Sequence, residues 1–206
     1  MGMGIGIVIL AAGRSERFGQ DKRCLLLNNK DSVLLATIHA ARASGLPCYV
    51  VLHPGDHELM HQCQQDSVEA GICPDAHLGI GHSIAFGVRA NQHWQGWIIA
   101  RGNMPWVQPV TYQQLAASLF DHPCIRPVNG DGHPGFPTAF RREFGWNLMQ
   151  LRGHRTEIRL MPSCADIDLV VNDPAICRVI YTPKDLCPLH KINNHIFLPR
   201  FSRVAL

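Results

Sequence analysis

Gly4-Ile5-Gly6-Ile7-Val8-Ile9-Leu10-Ala11-Ala12-Gly13-Arg14-Ser15-Glu16-Arg17-Phe18-Gly19-Gln20-Asp21-Lys22 opens the chain with an apolar run and a loop of small and basic residues. The run is short, β-branched and apolar at consecutive positions. That pattern predicts a parallel strand buried on both faces, because a strand with one wet face would alternate. A glycine-containing loop directly after such a strand is the start of a βαβ unit.

The rest of the chain repeats this alternation. Helices are expected at about 32–44, 57–69, 83–91, 111–120 and 140–151. Strands are expected at 48–52, 71–73, 97–100, 124–128, 167–171 and 177–181. The first helix places Leu34, Leu35, Ile38 and Ala41 on one face and stops at Gly45 and Pro47. Strands alternating with helices of this length predict a three-layer α/β/α domain with a mostly parallel sheet. Ligands of such sheets bind beyond the carboxyl ends of the strands, so the loops 11–22, 53–56 and 101–105 are expected on one edge.

Composition agrees with a packed domain. Of 206 residues, 46% are hydrophobic and 17% charged, which excludes a mostly disordered chain. No apolar run is long enough for a membrane span. No basic region precedes the opening apolar run, so no secretory signal is expected and the protein is expected in the cytoplasm. The net charge of +3 is too mild to imply nucleic acid as a partner, and no membrane partner is expected. The eight cysteines, at 24, 48, 63, 73, 124, 164, 177 and 187, contain no Cys-x-x-Cys pair. Free thiols are therefore expected.

The loop carries its own chemistry. Small residues at 11, 12 and 13 let backbone N–H groups approach phosphate oxygens, and Arg14, Arg17 and Lys22 add positive charge. Arginine suits bidentate phosphate contact, and lysine acts as a point charge. The segment is neither Gly-x-x-x-x-Gly-Lys-Ser/Thr nor Gly-x-Gly-x-x-Gly, so the usual NTPase and dinucleotide readings do not apply. By composition alone, a plain strand-to-helix loop with solvated charges fits equally well.

The full string goes further. Leu10, Ala11, Ala12, Gly13, Ser15, Arg17, Gly19 and Lys22 match Leu-Ala-Ala-Gly-x-Ser-x-Arg-x-Gly-x-x-Lys. That string resembles the signature of nucleotidyltransferases with a glycosyltransferase-A-like (nucleotide-diphospho-sugar transferase) fold. Pro74-Asp75 with Gly79-Ile80-Gly81-His82-Ser83, Gly102-Asn103-Met104-Pro105 and Gly132-His133-Pro134-Gly135-Phe136-Pro137 resemble segments of one branch. So do Leu151-Arg152-Gly153 and Tyr181-Thr182-Pro183-Lys184-Asp185-Leu186. That branch is the MobA-like group of molybdenum cofactor nucleotidyltransferases, its cytidylyltransferases above all. The resemblance spans about residues 5–187, so 1–187 is expected to be a single domain and 188–206 a C-terminal extension.

The resemblance implies transfer of a nucleoside monophosphate from CTP or GTP to the phosphate of molybdopterin, with release of pyrophosphate. It implies a nucleoside triphosphate, a molybdopterin-like acceptor and a molybdoenzyme as partners. Arg17 and Lys22 would stabilise charge on the transferring phosphate. Leu10, Ala11, Ala12, Gly13, Arg14, Ser15 and Gly19 would hold the triphosphate. Asp75, Gly79 and Ser83 would lie beside base and ribose, and Gly132, His133, Pro134 and Gly135 would face the acceptor.

The family also uses Mg²⁺ (or Mn²⁺), and here the pattern departs. The carboxylate of Gly-Asp-Met-Pro is replaced by Asn103. Tyr181, Val179 and His154 stand at the other aspartate positions. An amide oxygen can ligate Mg²⁺, but one lost unit charge at about 4 Å is worth on the order of 4 kcal/mol at an effective dielectric of about 20. Asp173, Asp185, His82 and His154 are the candidate substitutes. If the metal site is merely weakened, Asn103→Asp is expected to raise Mg²⁺-dependent turnover; no gain, even with Tyr181→Asp added, would mean that the site has decayed further. Two functions follow: a nucleotidyltransferase with an altered metal site, or a degenerate relative that binds nucleotide or pterin as carrier, sensor or assembly protein.

One competing motif is His57-Glu58-Leu59-Met60-His61, which spells the zincin His-Glu-x-x-His. Gln64 and Ser67 break the longer metzincin pattern, and the segment falls on a flanking helix, so a solvated helix face is expected. No Gly-x-Ser-x-Gly elbow supports a hydrolase.

Overall fold

The computed structural model describes residues 4–13, 21–27, 31–157 and 167–186. Arg14, Ser15, Arg17, Gly19 and the expected extension 188–206 lie outside the described residues.

The strands are β1 (Ile5–Leu10), β2 (Cys48–Leu52), β3 (Glu69–Ile72), β4 (Gly96–Arg101), β5 (Cys124–Val128), β6 (Thr138–Arg141) and β7 (Ile167–Val170). The α-helices are α1 (Val33–Arg42), α2 (His57–Gln65), α3 (Ile80–Ala90), α4 (Pro109–Ser118) and α5 (Gly145–Met149). The strands form one sheet in the order β3-β2-β1-β4-β6-β5-β7. Every pairing is parallel except those of β6, which runs antiparallel to β4 and β5.

Consecutive residues of a strand point to opposite faces, so the apolar run of β1 supplies two cores. Ile7 and Ile9 pack with Leu34 and Ile38 of α1, Leu59 of α2 and Leu115 of α4. Val8 and Leu10 pack with Ile84 and Val88 of α3 and Leu148 of α5. β2 and β4 divide the same way, Val50 and Ile98 to one side, Val51 and Ile99 to the other. The three-layer α/β/α architecture follows directly from strands that are apolar at every position.

Three sequence expectations are corrected. The segment 140–151 is not one helix: Phe140 lies in β6, paired with Trp97, and only Gly145–Met149 is α-helical. Phe140 is fully buried opposite a strand tryptophan, and that tertiary pairing outweighs the helical pattern of the residues after it. Residues 177–181 are not a strand; a 3₁₀ turn spans Pro174–Cys177 and the chain then runs alongside the loop after β4. The cysteines are not all free: Cys124 is disulfide-bonded, whereas Cys24, Cys48, Cys63, Cys73 and Cys177 are thiols. Cys164 and Cys187 lie outside the described residues. Smaller differences fall at element ends, with α2 stopping at Gln65 and α3 beginning at Ile80. Among the described residues no helix is long and apolar enough to cross a membrane.

Candidate functional site

The chain runs outward from β1 to β2 and β3, then crosses back to place β4 on the other side of β1. Such a reversal of strand order leaves a crevice at the carboxyl edge, where open α/β sheets bind ligands. A cavity of about 730 Å³ occupies it. That is the size of an ordinary small-molecule site.

The two loops touch at Gly102, whose N–H donates to the Leu10 carbonyl at 2.9 Å. A Cβ at Gly102 would sit 3.0 Å from that carbonyl oxygen, so a side chain there would push the loops apart. Ala11 N–H completes the β2 ladder by donating to Val51 O. No described residue accepts from the next two N–H groups, those of Ala12 and Gly13, and both residues line the cavity.

Arg23 holds this rim in place. Its Nη1 donates to Ala11 O at 2.6 Å. Its Nε and Nη2 fork onto Asp21, and Nη2 also donates to Asp56 Oδ1 at 2.9 Å. One buried guanidinium thus joins the end of β1, the returning end of the 14–20 segment and the turn before α2. Burial alone would favour the neutral form of Arg23, but the two carboxylates outweigh it and raise its pKa. Burial would likewise raise the Asp21 pKa, yet the Arg23 guanidinium holds it below the usual carboxylate range.

Lys22 faces the cavity, with its ammonium 5.8 Å from the centre of the Tyr181 ring. Burial lowers its pKa, with Arg23 adding to the effect and Asp21 opposing it. A phosphate oxygen would relieve that cost. His53 lines the cavity from the end of β2 and donates Nδ1–H to Pro54 O at 2.6 Å. Arg101, the last residue of β4, also lines it; its guanidinium lies 4.5 Å over the Phe136 ring and bonds the fully buried Glu157 at 3.1 Å.

Of the residues singled out from sequence, Leu10, Ala11, Ala12, Gly13, Lys22, Gly79, Ser83 and Asn103 line this one cavity. Gly79 adopts φ +124°, and a Cβ there would meet the Gly153 carbonyl at 2.4 Å. Gly153 and the N-terminus of α3 therefore close one wall together, His154 included. Asp75 precedes that wall and is exposed, outside the lining. Gly132, His133, Pro134 and Gly135 are also outside it; only Phe136 of that loop reaches the cavity. Gly135 is buried against Ile176 instead.

Asn103 lines the cavity, but its amide is committed. Its Nδ2 donates to Ile180 O at 2.7 Å, and Ile180 N donates back to Asn103 O at 3.0 Å. Arg178 stacks on Trp106 at 3.5 Å, so the segment before Tyr181 is fastened along the loop after β4.

Of the candidate replacement ligands only His154 shares the cavity lining with Asn103. Asp173 accepts from Gln108 N, Thr111 Oγ1 and Ala175 N, which spends it on α4 and its own turn. Asp185 accepts from Tyr181 N, Thr182 N and Thr182 Oγ1. His82 is outside the lining. Among the described residues the lining contains no carboxylate, and no cluster of His, Cys, Asp and Glu could hold a metal ion. This donor set does not fit a hard cation held by protein carboxylates. His57, Glu58 and His61 are exposed on α2, away from the cavity, as a solvated face.

The sequence placed His53 and Arg101 in loops at the ligand edge and Phe136 in the 132–137 segment without giving them a role, and it missed Arg23 and Glu157. Arg101 left a signal, a charge closing an otherwise apolar strand at its ligand-binding end. Arg23 left none that could be read, because Asp56 lies 33 residues away.

The sequence profile of the MobA-like NTP transferase domain matches residues 7–167. Rv0371c from Mycobacterium tuberculosis superposes with a TM-score of 0.77 at 23% identity, covering 89% of this chain and 95% of its own. Its structure is also known in complex with manganese, with a TM-score of 0.70 at 24% identity, covering 82% and 89%. A nucleotidyl transferase from Methanothermobacter thermautotroptrophicus, Mth528, gives 0.74 at 22% identity, covering 88% and 94%. Molybdopterin-guanine dinucleotide biosynthesis protein A from Archaeoglobus fulgidus gives 0.66 at 15% identity, covering 88% and 94%. No curated protein sequence matches.

Proposed function

This chain belongs to the MobA-like NTP transferase domain family, and from that premise we propose that it transfers a nucleoside monophosphate from CTP or GTP to a phosphorylated acceptor resembling molybdopterin. The observation that carries the reading is the rim of the cavity. Two backbone N–H groups without a described acceptor, at Ala12 and Gly13, stand beside the half-buried ammonium of Lys22 at the switch point of the sheet. Phosphoryl transfer asks a protein mainly for positioning and charge neutralisation, and this rim offers both.

In the reaction, an acceptor phosphate oxygen attacks the α-phosphorus of the nucleotide. One P–O bond forms, the α–β P–O bond breaks, and pyrophosphate leaves with the bonding pair. Ala12 and Gly13 hold phosphate oxygens, and Lys22 neutralises charge on the leaving pyrophosphate. Leu10 and Ala11 form the floor. Arg17 shares the work of Lys22, with Arg14, Ser15 and Gly19 completing the triphosphate loop. Gly79 and Ser83, with Asp75 behind them, border the base and ribose, and Phe136 brings the loop that carries residues 132–135 to the acceptor side. The described lining does not fit a divalent cation held by the protein, so a Mg²⁺ or Mn²⁺ ion would enter on the triphosphate's own oxygens. A molybdoenzyme receiving the product would be the downstream partner, in the cytoplasm.

The test is calorimetric titration with CTP and GTP, followed by pyrophosphate release on adding molybdopterin. Lys22→Ala should weaken nucleotide binding at least tenfold, about 1.4 kcal/mol. An unchanged affinity would remove the phosphate-rim assignment. The carboxylate-free lining favours one second reading, a relative that binds nucleotide or pterin as carrier, sensor or assembly protein. Tight binding without pyrophosphate release would select it.

A further inference from the structure

The acids around the cavity are spent one by one on protein cations and backbone donors. Asp21 and Asp56 are tied to Arg23, Asp173 to α4, and Asp185 to Tyr181 and Thr182 just before its own turn. Glu157 is buried outside the lining and turned onto Arg101. What lines the space instead is positive or neutral: Lys22, Arg23, Arg101, three imidazoles and the Asn103 amide.

Arg101 is the least explained of these groups. Its side chain is only 15% exposed, and a buried cation needs partners. Among the described residues it has one hydrogen bond, Nη2 to Glu157 Oε1, and one ring contact, with Phe136. A ring contact uses the face of the guanidinium and leaves the in-plane N–H donors available. Those donors belong to a residue on the cavity wall, at the carboxyl end of β4 beside Gly102 and the phosphate rim. Glu157 Oε2, fully buried, has no hydrogen-bond partner. The acid therefore meets Arg101 through one oxygen and occupies only one of its N–H donors.

We propose that this site binds the phosphates of its nucleotide without a protein-held divalent cation, with Arg101 meeting a phosphate oxygen directly and Glu157 acting as its positioning residue. The inference rests on the nucleotide reading above and deepens it. A fixed guanidinium supplies in-plane donors and a permanent charge where a carboxylate-held metal would supply a divalent one.

The experiment is calorimetry of the full-length protein with CTP and with GTP, in EDTA and in Mg²⁺. Wild-type affinity in EDTA should lie within threefold of that in Mg²⁺. Arg101→Met should weaken binding in EDTA at least tenfold, and Arg101→Lys should recover part of it. Glu157→Gln keeps an acceptor for Arg101 and should retain binding. Glu157→Ala should lose affinity in EDTA even where its melting temperature is unchanged, which a merely structural role would not produce. Binding that requires Mg²⁺ overturns the inference and leaves the nucleotide reading standing. So does an Arg101→Met variant that folds and binds normally in EDTA. No binding of either nucleotide in either buffer overturns both. If Arg101→Met does not fold, the wild-type comparison and Arg101→Lys decide the matter.

Discussion

Arg23 shows how much of the cavity's rim is set by one side chain that joins three separate segments. Its guanidinium satisfies Asp21 and Asp56 and ties both to the Ala11 carbonyl. Arg23→Met would keep the bulk and leave two carboxylates facing one another without their cation. Breaking such a pair typically costs about 3 kcal/mol. Urea unfolding should show a loss of that order, and a loss under about 1 kcal/mol would mean that the pairs are loose in solution. Asn103 reverses an expectation drawn from sequence. Asn103→Asp looks like the repair of a metal site, but it would put a carboxylate oxygen where Nδ2 now donates to Ile180 O. Two acceptors in contact lose the bond and repel, at a cost of about 1–3 kcal/mol. The variant should melt lower and gain no Mg²⁺-dependent turnover. A gain would show that the new carboxylate reaches a cation instead.

Among the elements, α1 and α2 are joined by a switchable contact. His39, in the last turn of α1, has Nδ1 3.0 Å from Asp31 Oδ2 and Nε2 3.0 Å from Asp66 Oδ2, just beyond α2. Burial disfavours its proton, but the two carboxylates outweigh this and raise its pKa above the ordinary 6.5. The sign follows. A raised folded pKa gives stability that is fully present below the ordinary value and is lost as pH rises through the folded value. The groups are partly exposed, so the gain is under about 1 kcal/mol. Unfolding midpoints should therefore fall slightly from pH 6 to pH 8 in the wild type more than in His39→Gln. An equal fall in both would remove the contact from the account. The same scale explains which elements were legible. β1, β2 and β4 announce themselves because both faces are buried and the apolar run is unbroken. β6 did not, since four residues before a helix-like stretch carry little pattern of their own. The N-terminus of α4 was equally unreadable, because Gln108 has no side-chain cap of its own and Asp173 bonds its backbone N–H from 65 residues away.

Across the whole molecule, the reversal of strand order between β1 and β4 puts the rim at Ala12 and Gly13, the α3 wall and the segment before Tyr181 around one space. Their sequence spacing spans most of the chain, yet every one of them follows a strand or a turn at the same sheet edge. The resemblance implied that Lys22, Gly79, Ser83 and Asn103 surround one ligand, and all four line one cavity. It could not say that Asp75 and the 132–135 residues stand outside the lining, or that the acids nearby are already spent. The amino-acid sequence by itself determined the two-faced apolar strands, the alternation that makes an α/β sheet, and the small, basic loop, because these are local patterns of polarity and size. Only the tertiary structure decided the partners of Arg23, Arg101, Asn103 and Asp173. Hydrogen bonds and ion pairs between distant segments depend on distances that sheet order and packing create, and no run of neighbouring residues encodes them.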